Sequence, residues 1–140
     1  MTAKEYLRQI SQAREWIKSL QTTQEQLRLD MLMISSPSLD ERVQTSPRDR
    51  MPEMMAKLES NEAKLALAIE RKWQLIMKIT EQVEQLNADK YERQILHMKY
   101  VLGMEWKDII SQIPYVERHV YELHGTALQK FARQYLTKSQ

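Results

Sequence analysis

Residues 4–34 read KEYLRQISQAREWIKSLQTTQEQLRLDMLMI and contain neither proline nor glycine. Nine positions recur at steps of four and three, and all of them are apolar except one: Tyr6, Ile10, Ala13, Ile17, Leu20, Gln24, Leu27, Met31 and Ile34. This heptad spacing predicts one long helix with a narrow apolar seam. Such a seam needs a partner helix, because an isolated amphipathic helix gains little stability from propensity alone.

The composition favours an all-α fold. Among 140 residues there are only two glycines and four prolines, which are too few for the turns of a strand-rich fold. The length of 140 residues fits one domain or two small helical units, and a hydrophobic content of 42% with a charged content of 29% is typical of a globular protein. The chain has no cysteine, which excludes disulfides, thiolate catalysis and Cys-based zinc sites.

A second long helix is predicted to begin near Pro52, because proline is tolerated in the first turn of a helix. The serine- and proline-containing residues 35–51 before it are predicted to form a linker. The apolar stripe of the second helix is interrupted by Glu62 and Lys72 and consists of Leu58, Leu65, Ile69, Ile76, Ile79, Val83 and Leu86. The simplest arrangement is an antiparallel hairpin within one chain, and the alternative is pairing with a second subunit.

Two features of the long helices, a polar seam residue and a group of methionines, each allow two interpretations. Gln24 either fixes the register of a helix pair or occupies a partly exposed seam position. Met51, Met54 and Met55 form either an adaptable binding surface or ordinary packing.

Residues 87–136 are predicted to form three helices with short turns. Asn87 is the expected N-cap of the first, with Asp89 in its first turn, and Gly103 the expected left-handed stop. The next helix spans about Trp106 to Gln112 and ends at Pro114, and the last runs from about Val116 to Leu136. We therefore divide the chain into a helical hairpin or oligomerisation region, 1–86, and a helix-turn-helix domain, 87–140.

The last two helices are a candidate helix-turn-helix, in which the second helix enters a DNA major groove. The expected core residues are Trp106, Ile109, Ile110, Ile113, Val120, Leu123, Ala127, Leu128 and Phe131. The side chains expected near the exposed face are Glu117, Arg118, His119, Tyr121, Glu122 and His124. Residues 1–86 carry 13 basic and 13 acidic residues, whereas residues 87–140 carry 8 and 6, so a mild positive charge accompanies this motif.

The same segment resembles the domain of primary-type sigma factors that reads the promoter −35 element. The residues that carry this resemblance are Glu92-Arg93-Gln94-Ile95-Leu96, Lys99-Tyr100, Gly103, Trp106-Lys107-Asp108-Ile109, Val120, Ala127-Leu128 and Lys130-Phe131. The whole chain is similar to small phage and prophage transcription regulators of the RinA/ArpU type. That similarity rests on Met1-Thr2-Ala3-Lys4-Glu5-Tyr6-Leu7, Glu41-Arg42-Val43-Gln44-Thr45-Ser46-Pro47 and Glu117-Arg118-His119-Val120-Tyr121-Glu122-Leu123-His124-Gly125.

The resemblance implies sequence-specific binding of double-stranded DNA and activation of late phage genes in the cytoplasm of a bacterial host, with RNA polymerase as a further partner. It assigns the DNA contacts to Lys107, Glu117, Arg118, His119, Tyr121, Glu122 and His124. A helix-turn-helix usually reads paired half-sites, so the long helices are predicted to form a homodimer or higher homo-oligomer.

The chain departs from the family pattern at four positions. Pro114 replaces the usual turn glycine, Val116 replaces a capping Ser, and Glu122 and Thr126 stand where arginines are expected. A missing N-cap costs about 1 kcal/mol, and missing arginines remove phosphate contacts. These departures predict weak DNA binding by a monomer, so that binding needs dimerisation, a partner or RNA polymerase. Two alternatives to DNA binding remain, a protein-interaction module that contacts RNA polymerase or another regulator, and a structural coiled-coil protein.

Enzymatic, metal-binding and membrane functions are not predicted. His119 and His124 are five residues apart, about 140° around a helix, so they do not converge on one metal ion. The sequence suggests no Ser/His/Asp constellation and no cofactor. No apolar run approaches the roughly 18 residues that span a bilayer, and the N-terminus lacks the apolar core of a signal peptide.

Overall fold

The computed structural model describes residues 1–35 and 47–137, and within these ranges the chain forms helices and no strand. The α-helices are α1 (Ala3–Leu7), α2 (Gln9–Ser35), α3 (Pro47–Glu84), α4 (Lys90–Leu96), α5 (Trp106–Gln112) and α6 (Glu117–Phe131). A π-helical turn extends α4 through His97–Val101, and another extends α6 through Ala132–Leu136. The predicted all-α fold class is confirmed. No helix in the described ranges is long and apolar enough to cross a membrane.

The first predicted helix is confirmed with one irregularity. Thr2 and Glu5 form a capping box that begins α1, and Arg8 alone separates α1 from α2. The predicted seam is buried or half-buried along its whole length, including the polar Gln24. The helix therefore uses the face that its heptad spacing indicated.

The start of α3 corrects the predicted linker. The helix begins at Pro47 instead of near Pro52, so residues 47–51 are helical, and Ser35 still belongs to α2. Pro47 takes the first-turn position that suits proline, while Pro52 lies inside the helix and forgoes one backbone hydrogen bond. Residues 36–46 of the predicted linker lie outside the described residues.

The chain divides into two compact units, residues 14–71 and residues 1–13 with 72–137. This division differs from the predicted boundary at 86/87. The physical reason is that the ends of the long helices belong to the core of the C-terminal unit, where Leu7, Ile10, Ile79 and Val83 are almost completely buried together with Phe131.

The first unit is an antiparallel hairpin within one chain. Ile17 and Leu20 of α2 pack against the middle of α3, at Leu65, Ala68 and Ile69. Later residues of α2 line a cavity of about 470 Å³ with earlier residues of α3: Leu27, Asp30, Met33, Ile34, Arg50, Glu53, Met54 and Lys57. The structure thus shows the intrachain form of the helix pairing.

A buried polar network sets the register of this hairpin. The Asn61 side-chain amide donates to the Leu20 carbonyl at 2.9 Å and to Gln24 Oε1 at 2.8 Å. Gln24 Nε2 donates to Glu62 Oε1 at 3.0 Å. A shift of either helix would leave Asn61 and Gln24 buried without these partners, so Gln24 acts as a register residue and not as an exposed seam position.

In the second unit, α4 begins two residues later than predicted, which is about half a turn. The N-cap is Asp89, whose side chain accepts from the backbone N–H of Glu92 at 2.8 Å, whereas the Asn87 N–H donates to Gln134. The hydrogen bond from the Glu92 backbone lowers the pKa of the Asp89 carboxyl below its usual value. Gly103 has a φ of 71°, which confirms the predicted left-handed stop.

Candidate nucleic-acid interface

A four-residue connection, 113–116, joins α5 to α6. Ile113 is extended, as expected for a residue before proline, and the Tyr115 N–H donates to its carbonyl at 2.8 Å. Val116 is the N-cap of α6 and makes no side-chain capping bond. The chain therefore completes a helix-turn-helix without the usual glycine and capping serine.

This helix-turn-helix has its own small core. Buried apolar side chains from α4, α5 and α6 and the turn after α4 meet in one cluster: Ile95, Met98, Ile109, Ile113 and Val120. Trp106, Ile110 and Leu123 pack against the cluster while remaining partly exposed. The predicted core sides of α5 and α6 are confirmed, because Ala127 and Phe131 are also fully buried.

The N-terminal half of α6 presents an exposed, mixed-charge face. Arg118 leaves 91% of its side chain exposed and Glu122 leaves 61%, and Arg118 Nε lies 3.6 Å from Glu122 Oε1. The other oxygen of Glu122 lies 3.5 Å from His119 Nδ1. Exposed pairs of this kind contribute at most about 1 kcal/mol, so Arg118 can exchange Glu122 for another anion at small cost.

Three further predicted residues differ in exposure. Glu117 is exposed, and its carboxylate lies 3.5 Å from the Tyr121 hydroxyl. Tyr121 is 42% exposed, but its ring packs edgewise on Trp106 with centroids 5.0 Å apart. Lys107 of α5 is exposed beside Glu105, at 3.9 Å.

His124 does not lie on the exposed face, which corrects the prediction. Its Nε2 is 2.8 Å from the Tyr100 hydroxyl, and its ring packs edgewise on Trp106 with centroids 4.7 Å apart. Burial, with smaller contributions from the charges of Lys4 and Lys99, lowers the pKa of His124 to about 4. The side chain is therefore neutral at pH 7 and supplies no positive charge to a phosphate.

The spacing of residue 124 could have revealed this burial. It is four residues after Val120 and three before Ala127, so all three share one helical face. His119 is partly buried, because its ring centroid lies 4.7 Å from that of Tyr115 while 44% of its side chain stays exposed.

Sequence reasoning also missed Gly125, which lies on the exposed face one turn after Tyr121. A Cβ atom built on Gly125 would have no neighbour within 4 Å. The glycine is therefore not required by packing, and the helix backbone is uncovered by a side chain at this position.

Compared with known proteins, the chain matches no family model, no curated protein and no solved structure.

Proposed function

We propose that this protein is a non-enzymatic, phage-type transcription regulator of the RinA/ArpU kind that binds promoter DNA through α5 and α6 and activates late genes. The observation that carries the proposal is the exposed N-terminal half of α6, held outward by a separate helix-turn-helix core. In proteins that read DNA with this motif, the N-terminal residues of the second helix contact base edges.

The dimensions and side chains of α6 support insertion into a major groove. Its 15 residues span about 22 Å, and a major groove about 12 Å wide admits one α-helix. Arg118 points outward with five potential donors, which suits either a guanine edge or a phosphate. Gly125 adds no side chain to the same face, so it does not hinder close approach.

The carboxylates on this face limit the affinity that one copy can reach. Glu117 and Glu122 repel phosphates, and Glu122 forms a salt bridge with Arg118 in the free protein. We therefore propose that two or more copies bind paired half-sites, with the long helices providing the contact between copies.

Selection from genomic DNA tests this function. The purified chain is mixed at low salt with sheared DNA from its own source genome, and the retained fragments are sequenced. We expect fragments that share one short motif, with paired copies, upstream of coding regions. Retention of fragments without any common motif would contradict sequence-specific binding.

A second candidate function is a protein-interaction module that contacts RNA polymerase without binding DNA. The mixed charge of the α6 face favours it, because Glu117 and Glu122 are suited to a basic protein surface. Under this alternative, immobilised chain retains purified RNA polymerase in the absence of DNA, and Glu122→Gln weakens that retention. Under the DNA-binding proposal, Glu122→Gln strengthens DNA binding because a negative charge is removed.

A further inference from the structure

A regular row of basic residues follows one side of α3 in the hairpin unit. Arg50, Lys57, Lys64 and Arg71 recur at intervals of exactly seven residues, and all four are exposed. Seven residues correspond to a rise of about 10.5 Å, so the row extends over about 32 Å on one helix. That length is close to one turn of B-DNA, roughly 34 Å.

The packing of α2 on α3 places this row beside the seam, on one defined flank. Arg28 of α2 pairs with Glu62 of α3 at 3.7 Å on one side of the seam. Each basic residue of the row comes directly before a residue of the seam, as Lys64 comes before Leu65, which places the row on one flank of the seam. Glu62 comes directly after the buried Asn61, which places it on the other flank. The row therefore lies on the flank opposite to the Arg28–Glu62 pair.

The two ends of this flank differ in charge. Lys57 lies 3.4 Å from Glu53, and the cavity that these two line also includes Asp30 and Arg50. At the other end, Lys64 and Arg71 have no carboxylate three or four residues away on α3, and neither forms a salt bridge within the described ranges. Residues 16–24 of α2, which pack near them, include no acidic residue.

An exposed aromatic side chain accompanies the uncompensated cations. Trp16 directly precedes the buried Ile17, as the row directly precedes the seam of α3, so it occupies the same flank in an antiparallel pair. It is 57% exposed. Two cations about 10.5 Å apart, with no salt bridge to a carboxylate and with an exposed indole on the same flank, suit a linear polyanion better than a compact ligand.

We propose that the flank formed by Lys64, Arg71 and Trp16 is a second DNA contact surface, which binds the phosphate backbone of duplex DNA without reading its sequence. It deepens the proposed function, because it supplies phosphate contacts that the mixed-charge face of α6 lacks. Its contribution is electrostatic, so it falls with salt by a slope of about 0.9 per phosphate contact.

The test measures the affinity of the full chain for a duplex of random sequence at several NaCl concentrations. The variant Lys64→Gln/Arg71→Gln is compared with Lys18→Gln/Arg28→Gln, which removes two basic side chains from elsewhere on the same hairpin unit. We expect the first variant to lose roughly 10-fold in affinity at low salt and about 1.8 from the slope of log affinity against log salt. We expect the control to change the affinity by less than about 2-fold.

Unchanged affinity and slope in a Lys64→Gln/Arg71→Gln protein with wild-type helical circular dichroism would overturn the proposal. Equal losses in both variants would also overturn it, because net charge alone would then explain the binding. Preference of the wild-type flank for a poly-glutamate peptide over duplex DNA would assign it to an acidic protein instead. Loss of random-duplex binding in the flank variant, with no common motif in the genomic selection, would retain this surface and refute the function proposed for α6.

Discussion

His124 combines three physical effects in one side chain. It is half-buried, its Nε2 shares a hydrogen with the Tyr100 hydroxyl, and its ring lies against Trp106. Burial opposes the charged form, which is why its pKa falls to about 4. The residue therefore supports the core of the second unit.

Acidification is expected to destabilise the protein through His124. The pKa is about 4 in the folded chain and 6.5 in the unfolded chain, so between these values the unfolded chain binds more protons. The contribution of His124 to the free energy of unfolding is therefore fully present above pH 6.5, and it decreases as the pH falls from 6.5 towards 4. After allowance for solvent screening, we expect a loss of about 1 kcal/mol between pH 7 and pH 5.

Urea unfolding of the wild type and of His124→Gln at both pH values measures this effect. The variant should show a smaller pH dependence by about that amount. If the two proteins respond to pH equally, or if the His124 imidazole titrates near 6.5 by NMR, the described environment of His124 is wrong.

Replacing the two glycines of the chain by alanine is expected to change the stability in opposite directions. Gly125 lies inside α6 with open space around a built Cβ, whereas Gly103 has a φ of 71°. Gly125→Ala should stabilise the protein by about 0.5–1 kcal/mol, since alanine loses less backbone entropy in a helix. Gly103→Ala should destabilise it by about 1–2 kcal/mol because of the left-handed conformation. Thermal unfolding of both variants checks the pair, and destabilisation by Gly125→Ala would contradict the open surroundings of that residue.

At the scale of elements, one charged pair joins α4 to α6. Lys130 Nζ lies 2.8 Å from Glu92 Oε1, and the Glu92 side chain is only 4% exposed while that of Lys130 is 36% exposed. This contact orients α6 against α4, on the side of the helix away from the proposed DNA face. Its loss would leave a carboxylate buried without its cation.

Lys130→Met is therefore expected to lower the free energy of unfolding by about 2–4 kcal/mol. The double variant Glu92→Gln/Lys130→Met should recover at least 1 kcal/mol of that loss, because no buried charge remains. Arg118→Met, which breaks the exposed pair with Glu122, is the matched control and should cost less than about 1 kcal/mol. Additive effects of the two substitutions in urea unfolding would mean that Glu92 and Lys130 do not interact.

The helices themselves were largely predictable from sequence, because periodicity and breakers act locally. The seam of α2, the stop at Gly103 and the bounds of α5 all follow from such signals. The predicted start of α3 was wrong because Pro47 and Pro52 both suit the first turn of a helix. The predicted N-cap of α4 was wrong because Asn87 and Asp89 are both good capping residues, and only the hydrogen bonds of the folded chain select between them. The burial of His124 was missed because a polar residue type outweighed its position on the Val120 face.

The division into units could not be read from local patterns. The seam of α2 continues without a break past Ala13, yet the residues before that point pack with Phe131 and those after it pack with α3. Which partner a seam meets depends on contacts distant in sequence. The same holds for the candidate site, where helical spacing predicted the outward position of Arg118, whereas the contact of His124 with Tyr100 joins residues 24 apart in sequence.

For the whole molecule, we propose that two different surfaces contact DNA. The α6 face carries few uncompensated cations, and we propose that it discriminates between sequences, while the hairpin flank with Lys64 and Arg71 is proposed to contact phosphates. Base contacts determine specificity and phosphate contacts determine most of the affinity and its salt dependence. The two surfaces are therefore separable by their effects on sequence preference.

The most direct measurement of the central claim compares Arg118→Ala with Arg133→Ala on a duplex that carries the selected motif. Both variants remove one exposed arginine, and the two positions are 15 residues apart. We predict that Arg118→Ala weakens binding to the motif by roughly 10-fold, about 1.4 kcal/mol, and reduces the preference for the motif over random DNA. Arg133→Ala should leave that preference unchanged. If Arg118→Ala preserves the preference in full, α6 does not read DNA with its N-terminal half, and the proposed function is wrong.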